Sequence, residues 1–181
     1  MNDTILSACE DKIGTSLFIN GKSGIGKTYT ITAILDTIRS RAAYRRQLSK
    51  LIYMNAKTLE TPKGFFDYLM REVFKNVNSM NQLKEKLCEK GKMILMVIDE
   101  VETFVLKTQL EMLFEIFALP YLKKSRVILI TISNTVNLTY NYLPELKLRD
   151  INPIIFTFKP YTDNQLIEIL GAAAKTPDKP K

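Results

Sequence analysis

The 181-residue sequence contains no histidine, which removes imidazole as a general base, a metal ligand or a pH switch. Its chemistry must run on carboxylates, lysine, arginine and hydroxyls. Cysteine is nearly as scarce. Cys9 and Cys88 are too few for a disulfide scaffold and lack the paired spacing of a metal site, so they read as small, partly buried thiols. Long apolar runs are missing too. The longest, 93–98 and 127–130, are far too short to cross a bilayer, and no basic stretch followed by an apolar core opens the chain. No membrane partner is expected.

What is present suits one globular unit: the length is that of a single domain, and 46% hydrophobic residues can bury a substantial core. The formal charge of +7 favours polyanionic partners, although a charge of this size also serves solubility alone. Short apolar runs at 16–20, 51–55, 93–98, 126–132 and 154–158 read as buried strands. Helical patterns at 27–41, 63–77, 80–90, 108–117 and 163–174 lie between or after them, the last capped by Thr162. Strands separated by helices imply crossover connections, hence an α/β fold with a five-stranded, mostly parallel sheet covered on both faces. Ligands of such sheets collect at the carboxyl ends of the strands. The run AAAKTPDKPK at 172–181 reads as a frayed end, with 175–181 a disordered tail.

The strongest motif is Gly21-Lys22-Ser23-Gly24-Ile25-Gly26-Lys27-Thr28, which follows an expected strand and opens an expected helix. Its glycines permit positive φ and close backbone approach, so successive N–H groups can point at phosphate oxygens, helped by the helix terminus. Lys27 is placed to reach the β- and γ-phosphates, and Thr28 to ligate magnesium. This is the pattern of a nucleoside triphosphate site, most simply ATP with Mg2+. A second strand runs directly into Asp99 and Glu100. Two acids at a strand end are an ordinary surface feature, but beside a phosphate loop Asp99 becomes the magnesium carboxylate and Glu100 the group that polarises attacking water. Asn134, after the strand at 126–132, reads either as a turn former or as an amide that orients that water. Arg149 reads as a solvated arginine or as one that balances phosphoryl charge, in oligomeric ATPases commonly from a neighbouring subunit. The basic clusters Arg39, Arg41, Arg45, Arg46, Lys50 and Lys123, Lys124, Arg126 read as nucleic-acid contacts or simply as solvated cations near helix ends.

With these residues in hand the chain resembles the AAA+ ATPases of the replication-initiator group, most of all the largest subunit of the origin recognition complex. The likeness covers roughly 17–170 and is carried by the phosphate loop together with YMNAKTLETPKGFFDYL at 53–69, VIDEVETF at 97–104, LFEIFALP at 113–120, ISNTVNL at 132–138 and FTFKPYTDNQLIEIL at 156–170. The resemblance implies a P-loop AAA+ core over 1–160, followed at 161–174 by the first helix of a helical lid that is otherwise largely absent. It makes Asn134 the first sensor residue and matches Arg149 to an arginine that faces a neighbour's nucleotide. In the family serine usually precedes that arginine, whereas Leu148 does here. The resemblance further implies a nuclear protein that partners other AAA+ subunits of an origin recognition assembly and meets DNA mainly through partners or further domains. ATP then acts as an assembly switch and hydrolysis is slow, a weak ATPase. Two other readings stand beside it: an ATP-dependent interaction module without turnover, and a P-loop phosphotransferase.

Overall fold

The computed structural model describes residues 1–59, 62–106, 110–135 and 137–175. In chain order these form α1 (Asn2–Asp11), β1 (Thr15–Asn20), α2 (Lys27–Ser40), α3 (Ala42–Gln47), β2 (Leu48–Asn55), α4 (Pro62–Tyr68), α5 (Met80–Cys88), β3 (Met93–Asp99), α6 (Glu102–Leu106), α7 (Leu110–Ala118), β4 (Val127–Ser133), α8 (Asn137–Leu148), β5 (Ile154–Thr157) and α9 (Asp163–Lys175). The frayed tail expected at the end lies, from 176 on, outside the described residues, as do the first residues of the helix expected at 108–117.

All five strands pair in parallel, in the order β2-β3-β4-β1-β5. The central strands β3 and β4 are buried along their whole length, which is why they read as unbroken apolar runs. Their side chains alternate between two cores. Ile94, Met96, Ile98, Val127 and Leu129 join Phe18 on one face; Leu95, Val97, Ile128, Ile130 and Ile132 join Leu17 and Ile19 on the other. Residues of α4, α5, α6 and α7 complete the first core, and α1, α2 and α3 the second. Each fully buried aliphatic side chain contributes about 1.5–3 kcal/mol, so the sheet is the rigid platform of the molecule.

Several elements differ from the sequence reading, which expected no helix at α1, α3, α6 or α8. The strand at 154–158 was expected to be buried, but β5 is an edge strand paired only with β1, with Ile154 43% and Ile155 39% exposed. Its apolar composition looks the same in either position. The helix expected over 63–77 changes hydrogen bonding midway: α4 gives way to a π-helical turn at Leu69–Val73, closed by the Phe74 N–H on the Leu69 carbonyl at 2.9 Å. Finally, α8 runs through Pro144, in a segment where a proline discourages a helix reading. Thr162 caps α9 as expected: its Oγ1 accepts from the Gln165 N–H at 3.4 Å, while Gln165 Oε1 accepts from the Thr162 N–H at 2.9 Å.

Candidate nucleotide site

Parallel register sets the carboxyl ends of four strands side by side. Asn20 pairs with Ser133, Ile98 with Thr131, and Asn55 with Asp99. The loop after β1 and the turns after β3 and β4 therefore meet around one cleft of about 340 Å³, lined by Ser23, Gly24, Gly26, Lys27, Thr28, Tyr29, Glu100 and Asn134. This brings together the phosphate loop, Glu100 and Asn134, all singled out in the sequence.

The loop backbone has the form a phosphate cradle needs. Gly24 and Gly26 sit at φ 82° and 81°, a region that costs a residue with a side chain. A Cβ on Gly26 would come within 2.6 Å of the Tyr161 hydroxyl, and one on Gly21 within 2.7 Å of the Phe158 carbonyl oxygen. The segment after β5 thus lies against the loop, anchored by the Phe158 N–H on the Asn20 carbonyl at 2.8 Å. No side chain caps the amino end of α2, so its first-turn N–H groups are left for an anion.

Lys27 is buried, and its ammonium donates to the carbonyl oxygens of Gly21 at 2.8 Å and Lys22 at 2.7 Å. Burial lowers its pKa, and the charges of Glu102 and Asp99 act against that shift. A buried cation whose ammonium donates to neutral carbonyls can exchange them for an incoming anion. Thr28 Oγ1 donates to Asp99 Oδ2 at 2.8 Å, which ties the start of α2 to the end of β3. A hydroxyl beside one buried carboxylate is a hard-oxygen donor set. Among the described residues no group of three or more His, Cys, Asp or Glu side chains converges to hold a metal unaided. The donor set fits magnesium, which takes one or two protein oxygens and completes its shell with water and phosphate.

Glu100 adopts φ 55°, an uncommon conformation for a residue with a side chain, at the point where β3 turns. Its N–H donates to Asp99 Oδ1 at 2.8 Å, and the following Val101 N–H donates to the Ile132 carbonyl at 3.1 Å. Its carboxylate pairs with the Lys57 ammonium and accepts from Asn55 Nδ2 at 3.5 Å. The Asn134 N–H donates to Glu102 Oε1 at 3.1 Å, which fixes the turn after β4 against the turn after β3.

Arg149 is not brought into this cleft. Its guanidinium lies on the surface, donating in a fork to Glu111 (3.1 and 3.1 Å) and to Glu145 (3.2 and 3.2 Å), with Phe114 beneath it at 4.4 Å. Several cations of the basic clusters have local duties. Arg39 pairs with Asp36, Lys50 donates to the Val73 carbonyl, and Arg126 donates to the carbonyls of Lys86 and Lys92. Arg41, Arg45, Arg46, Lys123 and Lys124 are exposed.

Four site residues were not singled out by the sequence reading: Tyr53, Asn55, Lys57 and Glu102. The first three sit on or just after β2, and nothing along the chain announces that β2 pairs with β3 and so faces Asp99 and Glu100. Glu102 carried a faint signal, as an acid two positions beyond Glu100.

The family description that matches residues 12–136 is that of an AAA domain. The chain is 33% identical over 171 residues to the human cell division control protein 6 homolog, an alignment covering 90% of this chain and 30% of that protein. It is 26% identical over 167 residues to origin recognition complex subunit 1 of Plasmodium falciparum, covering 85% of this chain and 14% of that protein. The chain therefore spans under a third of the length of these relatives. Among solved structures, the Drosophila origin recognition complex bound to DNA superposes with a TM-score of 0.75 at 19% identity, over 98% of this chain and 44% of that one, a likeness of fold. No helix among the described residues is long and apolar enough to cross a membrane. The matched residues contain the phosphate loop, Asp99, Glu100 and Asn134, and the fold around them is shared with the Drosophila structure: the chain belongs to the AAA domain family, and its curated relatives include Cdc6 and ORC1 proteins.

Proposed function

We propose that the chain is the ATP-binding core of a replication initiator, in which ATP with Mg2+ acts as an assembly switch and is hydrolysed slowly. The observation that carries this reading is the Thr28–Asp99 hydrogen bond at 2.8 Å, which joins the phosphate loop to the strand-end acids around one cleft. On ATP binding Lys27 exchanges its two carbonyl partners for the β- and γ-phosphates, while Thr28 and Asp99 hold the metal ion. Magnesium supplies neutralising charge for the phosphate oxygens. Glu100 takes the proton of the attacking water, Asn134 orients that water, and Arg149 serves a neighbouring subunit's phosphates after releasing Glu111 and Glu145. Slow turnover is supported by the Lys57 ion pair, which competes for the Glu100 carboxylate with the proton of the water. The partners are other AAA+ subunits of an origin recognition assembly and DNA, and the setting is the nucleus. Residues 1–160 form the core, and α9 opens the lid.

Calorimetric titration of ATP with Mg2+ into this chain and its Lys27→Ala variant tests the reading. Binding lost in the variant is the expected result; equal affinity in both chains overturns it. The same ion pair at Glu100 favours one alternative, an ATP-dependent interaction module without turnover. Equal phosphate release from the parent and Glu100→Gln would select it.

A further inference from the structure

Asp99 is 3% exposed, and a buried carboxylate is stable only where donors surround it. Three do. Oδ1 accepts from the Glu100 N–H at 2.8 Å; Oδ2 accepts from Thr28 Oγ1 at 2.8 Å and from Tyr53 Oη at 2.9 Å. The first two come from the turn and the loop that build the nucleotide site. The third comes from β2, at the edge of the sheet, from a residue that is 38% exposed.

The register explains how Tyr53 reaches. It lies opposite Val97, two positions short of the Asn55–Asp99 pair, so a side chain as long as tyrosine extends along the strand direction to the carboxylate. Phenylalanine has the same ring but ends before the oxygen. The two donors to Oδ2 also differ in duty. On the ATP–magnesium reading Thr28 commits its hydroxyl oxygen to the metal, whereas Tyr53 contacts Asp99 from the opposite strand and has no place at the phosphates.

We infer that Tyr53 is a positioning residue for the metal site: its hydroxyl holds the Asp99 carboxylate in the orientation that receives ATP-bound magnesium. The inference rests on the ATP–magnesium reading of the cleft. Tyr53 transfers no proton and touches no substrate. It sets the direction of Oδ2, so that metal binding costs no reorientation of a buried charge.

The test is ATP binding by calorimetry to the parent and to Tyr53→Phe, each with Mg2+ and with a chelator in its place. The ratio of the two dissociation constants isolates the metal's contribution to ATP binding. In Tyr53→Phe the affinity in chelator stays at the parent value, while the gain from Mg2+ falls about tenfold, the scale of losing an outer partner of a metal ligand. In an Asp99→Asn background the same change at Tyr53 has no further effect on that gain. An undiminished gain in Tyr53→Phe overturns the inference, and so does an equal loss with and without Mg2+, which marks a purely structural role. A parent chain whose ATP affinity ignores Mg2+ overturns the ATP–magnesium reading itself and this inference with it. That pattern is distinct from a responsive parent with an equally responsive variant.

Discussion

The Lys57 ammonium forms an ion pair with the carboxylate of Glu100, the residue proposed to polarise attacking water. Lys57 follows the end of β2, Glu100 follows the end of β3, and the parallel pairing of Asn55 with Asp99 brings the two together. The pair raises the pKa of Lys57, chiefly through its hydrogen bond to Glu100, so the ammonium stays charged throughout the physiological range. The glutamate is therefore engaged by a cation before any substrate arrives.

Removing that cation should free the base. Lys57→Ala is expected to raise single-turnover ATP hydrolysis by about two- to fivefold, the modest scale of a solvent-facing ion pair, without changing ATP affinity. Quench-flow measurement of phosphate release, beside a binding titration, checks both parts. A lower rate in the variant would instead make Lys57 a group that assists the reaction.

Gly14 supplies a prediction about the frame rather than the site. A Cβ there would lie 2.1 Å from the Pro120 carbonyl oxygen, a backbone atom in the turn that follows α7. Gly14→Ala should destabilise the chain by about 1–3 kcal/mol through overpacking, read as a lower urea midpoint with the slope unchanged. ATP affinity measured well below the transition should stay at the parent value, because the contact lies at the opposite end of β1 from the phosphate loop.

Cys9 is fully buried, and that burial, with a smaller push from the charge of Glu10, raises its thiol pKa to about 11. At neutral pH it should resist thiol-directed reagents until the chain unfolds. The sign of the linkage follows from the direction of the shift. A group whose pKa is higher in the folded chain holds its proton longer there, so its stabilising contribution is complete below pH 9 and is lost as pH rises towards 11. Urea midpoints should fall across that window, and Cys9→Ala should flatten the fall while shifting the curve by its own packing cost. A slope unchanged by Cys9→Ala would assign the alkaline loss to other groups, such as Tyr121, whose pKa is about 12.

Much of the fold was legible because it rests on local signals. The apolar runs of β3 and β4 are continuous because both faces of the central strands are covered, and the phosphate loop is contiguous, so its glycines, Lys27 and Thr28 announce themselves together. Asp99 and Glu100 were readable for the same reason, as acids placed directly after such a run. The edge position of β5 and the π-helical turn at Leu69–Val73 were not, since isoleucines compose edge and central strands alike and α- and π-helical turns differ only in which carbonyl an N–H selects.

The amino-acid sequence by itself determined the chemistry of the cleft: oxygen donors, one lysine and a glycine-rich backbone, with no imidazole to take part. Only the tertiary structure decided which side chains govern those groups. Tyr53 reaches Asp99, Lys57 engages Glu100, and Glu102 receives the Asn134 N–H, because strands distant in sequence lie side by side in parallel register. The same packing turned Arg149 outward to Glu111 and Glu145. A motif is written in consecutive residues, but the partners that hold a carboxylate in place belong to the sheet order, which emerges only when the chain buries its two cores.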